Sequence, residues 1–82
     1  MELTKKELEL LNALTQNDFL NIRNSEEEAI DFPVDVWIIE EESNLSGKEV
    51  SGVTSSLVKK KIIQSNNEAI WLTEFGYDFI TK

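Results

Sequence analysis

The sequence predicts one small α+β domain over residues 1–82, with a core of three helices, a two-stranded antiparallel hairpin and a C-terminal helix. Three observations lead there. Matched helix-start signals precede runs of helical periodicity at Leu3 and at Leu45. Two adjacent asparagines, Asn66 and Asn67, separate two short apolar runs. A third start signal, at Thr73, follows the second of those runs directly.

In the first helix Thr4 can cap, Glu7 can reach back as the third helical residue, and Leu3 can pack on Leu8 across the cap. Leu8, Leu11 and Leu14 or Thr15 recur at helical spacing, Leu10 and Ala13 widen the stripe, and Gln16, Asn17 and Asp18 end it. Residues 17–32 read less clearly: Phe19, Leu20 and Ile22 suit burial, the polar run from Arg23 to Glu28 suits an exposed loop, and residues 29–32 suit a short strand. Pro33 fits the first turn of a helix, and Val34, Trp37, Ile38 and Glu41 then share one side of a segment reaching Glu42. Val, Trp and Ile also suit a strand, so residues 34–39 have an extended alternative; the Pro33 start favours the helix.

The next helix, residues 47–60, opens with Ser46 as cap, Glu49 as its box partner and Leu45 stapled on Val50. Val50, Val53, Leu57 and Val58 point inward, which leaves Lys48, Ser51, Gly52, Ser55 and Lys59 outside. Pairing Ser65 with Glu68 across a two-asparagine turn would set Ile63 opposite Ile70 and Ile62 opposite Trp71. The last helix has Thr73 as cap, Glu74 in its first turn and a Leu72 to Tyr77 staple, and it offers Phe75, Phe79 and Ile80 for burial.

Composition narrows the function. The chain has no cysteine and no histidine, which removes thiolate nucleophiles, disulfides, Cys/His zinc sites and imidazole acid–base chemistry, so no enzymatic activity is expected. No apolar stretch approaches the roughly 20 residues of a bilayer span, and no apolar segment follows the N-terminal charges as in a secretory leader; the expected location is the cytoplasm, away from membranes. The net charge of −8 is unevenly placed. Residues 24–42 hold eight acids and no base, whereas residues 43–61 hold four lysines and one acid.

The order helix, strand or loop, helix, short turn, helix, hairpin, helix is that of a winged helix-turn-helix. The run Leu57-Val58-Lys59-Lys60-Lys61-Ile62-Ile63 resembles the passage from recognition helix to first wing strand in small winged-helix transcriptional regulators of bacteria and phages. Leu72-Thr73-Glu74-Phe75-Gly76-Tyr77 resembles the Leu-Thr-Glu-x-Gly-aromatic signature behind their second wing strand, at the family's spacing. The likeness covers about residues 45–80. Two departures stand out: Lys61 occupies the turn where the family usually has glycine, and the wing tip, residues 65–68, carries no arginine or lysine.

The resemblance implies a double-stranded DNA partner, with helix 47–60 as the recognition helix. Lys48, Ser51, Gly52 and Ser55 would then face base edges, Lys59, Lys60 and Lys61 would grip phosphates, and Ser46 would hold another phosphate at the helix N-terminus. A homodimer would double the basic faces. The competing reading is an acidic protein-interaction module, or a nucleic-acid mimic, that docks Glu26, Glu27 and Glu28 with Glu40, Glu41 and Glu42 on a basic partner. Clustered glutamates suit hard cations, but no D-x-D-x-D-G loop frames them, and the two tryptophans are most simply core and core-edge residues; neither a metal nor a cofactor is expected.

Overall fold

The computed structural model describes residues 2–15 and 33–81. Four helices and a three-stranded antiparallel sheet form among these residues: α1 (Lys5–Thr15), β1 (Val34–Asp35), α2 (Val36–Ser43), α3 (Gly47–Lys59), β2 (Ile63–Ser65), β3 (Ala69–Leu72) and α4 (Glu74–Thr81). The strand order is β1-β3-β2. Helix α1 packs across both α2 and α3, and the sheet closes the far side of the core formed by Leu10, Leu14, Ile39, Leu57, Ile62, Ile63 and Leu72.

The capping box of α1 forms as expected: the Thr4 N–H donates to Glu7 Oε1 at 2.8 Å, and the Glu7 N–H donates to Thr4 Oγ1 at 3.1 Å. The apolar stripe is rotated from its expected position. Leu8 is 49% exposed, while Glu7, Leu10, Leu11 and Leu14 face inward at helical spacing. A carboxylate takes the first inward position because it finds partners there that a leucine could not use.

The segment after Pro33 departs furthest from expectation. Val34 and Asp35 are a strand, paired with Ile70 and Ala69, and the helix begins only at Val36. Pro33 therefore precedes a strand instead of opening a helix, and the proposed strand at residues 29–32 lies outside the described residues. The inward face of α2 is Ile38, Ile39 and Ser43, and Trp37, expected on the same side as Ile38 in the core or at its edge, is 58% exposed on the other side. Asn44 ends α2 in the left-handed region at φ 61°, which asparagine tolerates. Three residues later the reciprocal box of Ser46 and Glu49 starts α3, as its sequence predicts.

Helix α3 stops in a Schellman turn. The Lys61 N–H donates to the Val58 carbonyl, the Ile62 N–H donates to the Leu57 carbonyl, and Leu57 and Ile62 are both fully buried. Lys61 itself holds the left-handed position at φ 66°, where glycine would be unstrained.

The hairpin turn and register both differ from the sequence reading. Ile63 pairs with Leu72, Gln64 with Trp71 and Ser65 with Ile70, so Ile62 lies ahead of the strand instead of opposite Trp71. Neither Asn66 nor Asn67 takes a left-handed conformation. The Asn66 carboxamide closes the turn instead, its Oδ1 accepting the N–H groups of Glu68 and Ala69 at 2.8 Å each. A side-chain closure of this kind satisfies the turn without the mirror-image backbone that a two-residue loop requires.

Thr73 joins hairpin and α4. Its Oγ1 accepts the Gly76 N–H at 2.9 Å, and its hydroxyl donates between the carbonyls of Lys61 at 2.7 Å and Ile62 at 3.0 Å. Along α4, Phe79 and Ile80 are half-buried against the core, but Phe75, expected inside, is 52% exposed. The first turn of α4 is pressed so closely on Ile62 that its inward position is filled by Gly76, and the ring next to it turns outward.

Candidate nucleic-acid interface

Helix α3 presents the candidate residues on one side because its valines and Leu57 take the other. Lys48, Ser51, Gly52, Ser55 and Lys59 are all exposed, and at about 100° per residue they fall within an arc of roughly 100°. From Lys48 to Lys59 the ridge runs about 16 Å along the axis. An alanine Cβ placed at Gly52 meets no atom of the described residues beyond its own helix turn within 4 Å, so the helix backbone is accessible at the middle of the ridge. Lys61 is exposed just past the helix end, at the left-handed turn.

Ser46 is exposed at the head of the ridge, but its hydroxyl oxygen already accepts the Glu49 N–H. Glu49 is drawn away in turn, forming an ion pair with Lys6 at 2.7 Å that raises the Lys6 ammonium and lowers the Glu49 carboxyl from their ordinary values. Lys60 stands apart from Lys59 and Lys61. Its Nζ lies 2.8 and 2.9 Å from the two carboxylate oxygens of Glu7 and 3.3 Å from the Glu2 carbonyl. Ser56 donates a further hydrogen bond to Glu7 Oε2 at 2.8 Å.

Glu7 is thus a buried anion fully claimed by its neighbours. Burial pushes its carboxyl up, but hydrogen bonds from Lys60, the Thr4 N–H and Ser56, with the Lys60 charge, outweigh it and lower the pKa to about 2. The sequence reading missed this group because Glu7 was already explained as a box residue. Its only sequence signal is its place one turn ahead of Leu10 and Leu11 on their face.

Beside the ridge, α3, α2 and the hairpin tip enclose an open cleft of about 340 Å³. Glu40, Ser51, Thr54, Ser55, Asn66 and Asn67 contribute its polar lining, and the buried hydroxyl of Thr54 has no hydrogen-bond partner among the described residues. Glu40 sits at the head of α3, its Oε1 3.3 Å from where a Cβ on Gly47 would stand. Sequence spacing could not place Glu40 here, since the bend between α2 and α3 brings it round.

Of the alternative protein-binding residues, Glu40, Glu41 and Glu42 are exposed on α2, while Glu26, Glu27 and Glu28 lie outside the described residues. Among the described residues no group of three or more acidic side chains is arranged to hold a metal ion, and no helix is long and apolar enough to cross a membrane. No protein-family model, curated protein or solved structure matches this chain.

Proposed function

We propose that this chain is a winged helix-turn-helix DNA-binding protein acting in transcriptional regulation, with α3 as its recognition helix and the β2–β3 hairpin as its wing. The observation that carries this reading is the exposed ridge of Lys48, Ser51, Gly52, Ser55 and Lys59, on a helix joined to α2 by a three-residue turn and followed at once by a hairpin. Small and hydroxylated side chains at its centre allow close approach to base edges, and lysines at its two ends suit flanking phosphates. Lys48, Lys59 and Lys61 are the phosphate-gripping residues of this reading; Lys60 is held by Glu7 and supports the fold. Three such contacts per copy imply a shallow dependence of log affinity on log salt, with a slope of about −3.

The test is duplex binding by fluorescence anisotropy. Lys48→Glu with Lys59→Glu abolishes binding and leaves the thermal melt unchanged within about 0.5 kcal/mol, both sites being exposed. Lys61→Gly separates binding from folding more sharply. It relieves the left-handed strain and stabilises the domain by about 0.5–1 kcal/mol, yet it weakens duplex binding by removing a cation. Lost affinity in a more stable protein cannot be ascribed to misfolding. Unchanged binding by the double variant excludes α3 as the reading helix.

One set of observations favours the acidic protein-interaction module as a second reading. The hairpin turn offers Glu68 and no base, and Glu40 stands at the head of α3 where a phosphate would approach. Under that reading wild type binds no duplex at any salt concentration, and charge reversal of Glu40, Glu41 and Glu42 releases a basic partner.

A further inference from the structure

We infer that the outer face of α2, centred on Trp37, is a docking surface for an arginine-bearing segment of a partner protein. On α2, Ile38, Ile39 and Ser43 face inward, which puts Trp37 at the middle of the opposite face. Glu41, four residues on, is its exposed neighbour on that surface, and Glu40, three residues on, is exposed at its border with its carboxylate turned toward Gly47. The helix has no basic residue to neutralise them.

The indole is held in place. Its Nε1–H donates to Asp35 Oδ2 at 3.3 Å, and Asp35 is anchored by the pairing of β1 with β3. The ring is 58% in solvent on a helix face that holds acids and no base, with its N–H tied to a carboxylate, and this combination suits a cationic occupant. A guanidinium can stack on the indole face while its N–H fork meets a carboxylate. An ammonium supplies the charge without the planar stack, so arginine is preferred over lysine. The inference rests on the acidic protein-interaction reading, with which it shares Glu40 and Glu41, and adds Trp37 as the residue that selects the cation.

The experiment titrates the ¹⁵N-labelled full chain with a hexa-arginine peptide, with hexa-lysine and hexa-citrulline as comparisons. The indole N–H resonance of Trp37, identified by its absence in Trp37→Ala, shifts saturably with hexa-arginine, less with hexa-lysine and not with hexa-citrulline. Trp37→Ala weakens hexa-arginine binding about fivefold in a chain that stays folded, and Glu41→Gln, which leaves the indole in place, weakens it as well. Equal binding by wild type and Trp37→Ala overturns the proposal, because the acidic chain is then acting as a diffuse polyanion. Absence of binding at millimolar peptide, or shifts confined to residues away from α2, overturns it too.

Discussion

Gly76→Ala is expected to destabilise the domain by at least about 3 kcal/mol, a large share of the roughly 4–12 kcal/mol that holds a domain of this size together. A Cβ at residue 76 would stand 2.0 Å from the Ile62 carbonyl oxygen and 2.8 Å from its carbon, and neither is the movable end of a flexible side chain. The carbonyl cannot retreat cheaply, since it accepts both the Thr73 N–H at 3.1 Å and the Thr73 hydroxyl. Nor can the helix, whose first turn is tied to the same threonine through the Gly76 N–H. Gly52→Ala is the internal control. That position is exposed in mid-helix with no atom of the described residues beyond its own helix turn within 4 Å of the new methyl, so the substitution stabilises by about 1 kcal/mol. Urea titrations of the two variants should therefore move in opposite directions; a Gly76→Ala midpoint equal to wild type would refute the close approach of α4 to Ile62.

Glu7 carries the second large effect, and it is pH-dependent. Its carboxyl titrates at about 2 in the folded protein against an ordinary 4.5. A group with a lowered folded pKa contributes its full stabilisation above the unfolded value and loses it as pH falls toward the folded one. The contribution is about 3 kcal/mol at pH 7, drops below half by about pH 3, and is gone below about pH 2. Removing the carboxylate by Glu7→Gln at neutral pH should cost about 2–3 kcal/mol, because Lys60 is 29% exposed and recovers some hydration while Ser56 and Thr4 lose an anionic acceptor. The measurement is the difference in unfolding free energy between wild type and Glu7→Gln across pH 7 to pH 2. Taking the difference cancels the relief of repulsion that any chain of net charge −8 gains on acidification. A gap that stays constant with pH would mean that Glu7 is not ionised in the fold.

Much of the architecture is readable from local grammar. Both capping boxes, the inward Val50 and Leu57, and the outward Lys48, Ser51, Gly52, Ser55 and Lys59 follow from rules acting over a few residues. What misled was reading burial from hydrophobicity alone. Leu8 and Glu7 exchange their expected roles because Lys60, more than fifty positions away, supplies the counter-charge. Phe75 is displaced by the approach of α4 to Ile62, and Trp37 by a helix that starts at Val36. The hairpin register escaped for a different reason: Asn-Asn suggests a turn carried by the backbone, and the carboxamide of Asn66 offers another closure that moves the pairing by two residues. In the candidate interface, the ridge was legible from periodicity, whereas the capture of Lys60 and the position of Glu40 depend on contacts between elements.

The central place of β3 governs the order in which this chain can assemble. Strand β1 waits for Ala69 and Ile70, and the sheet has no other inner strand among the described residues. A nascent chain that has released only the first three helices holds, among the described residues, no strand to pair with Val34 and Asp35 and lacks the Leu72 and Ile70 side chains that seal the interior. The sheet therefore cannot close until β3 has been made, and the pairing of Val34 with Ile70 then joins positions more than thirty residues apart. Until then the emerging protein shows a sticky, half-covered surface, the period in which it is most exposed to proteolysis and clumping.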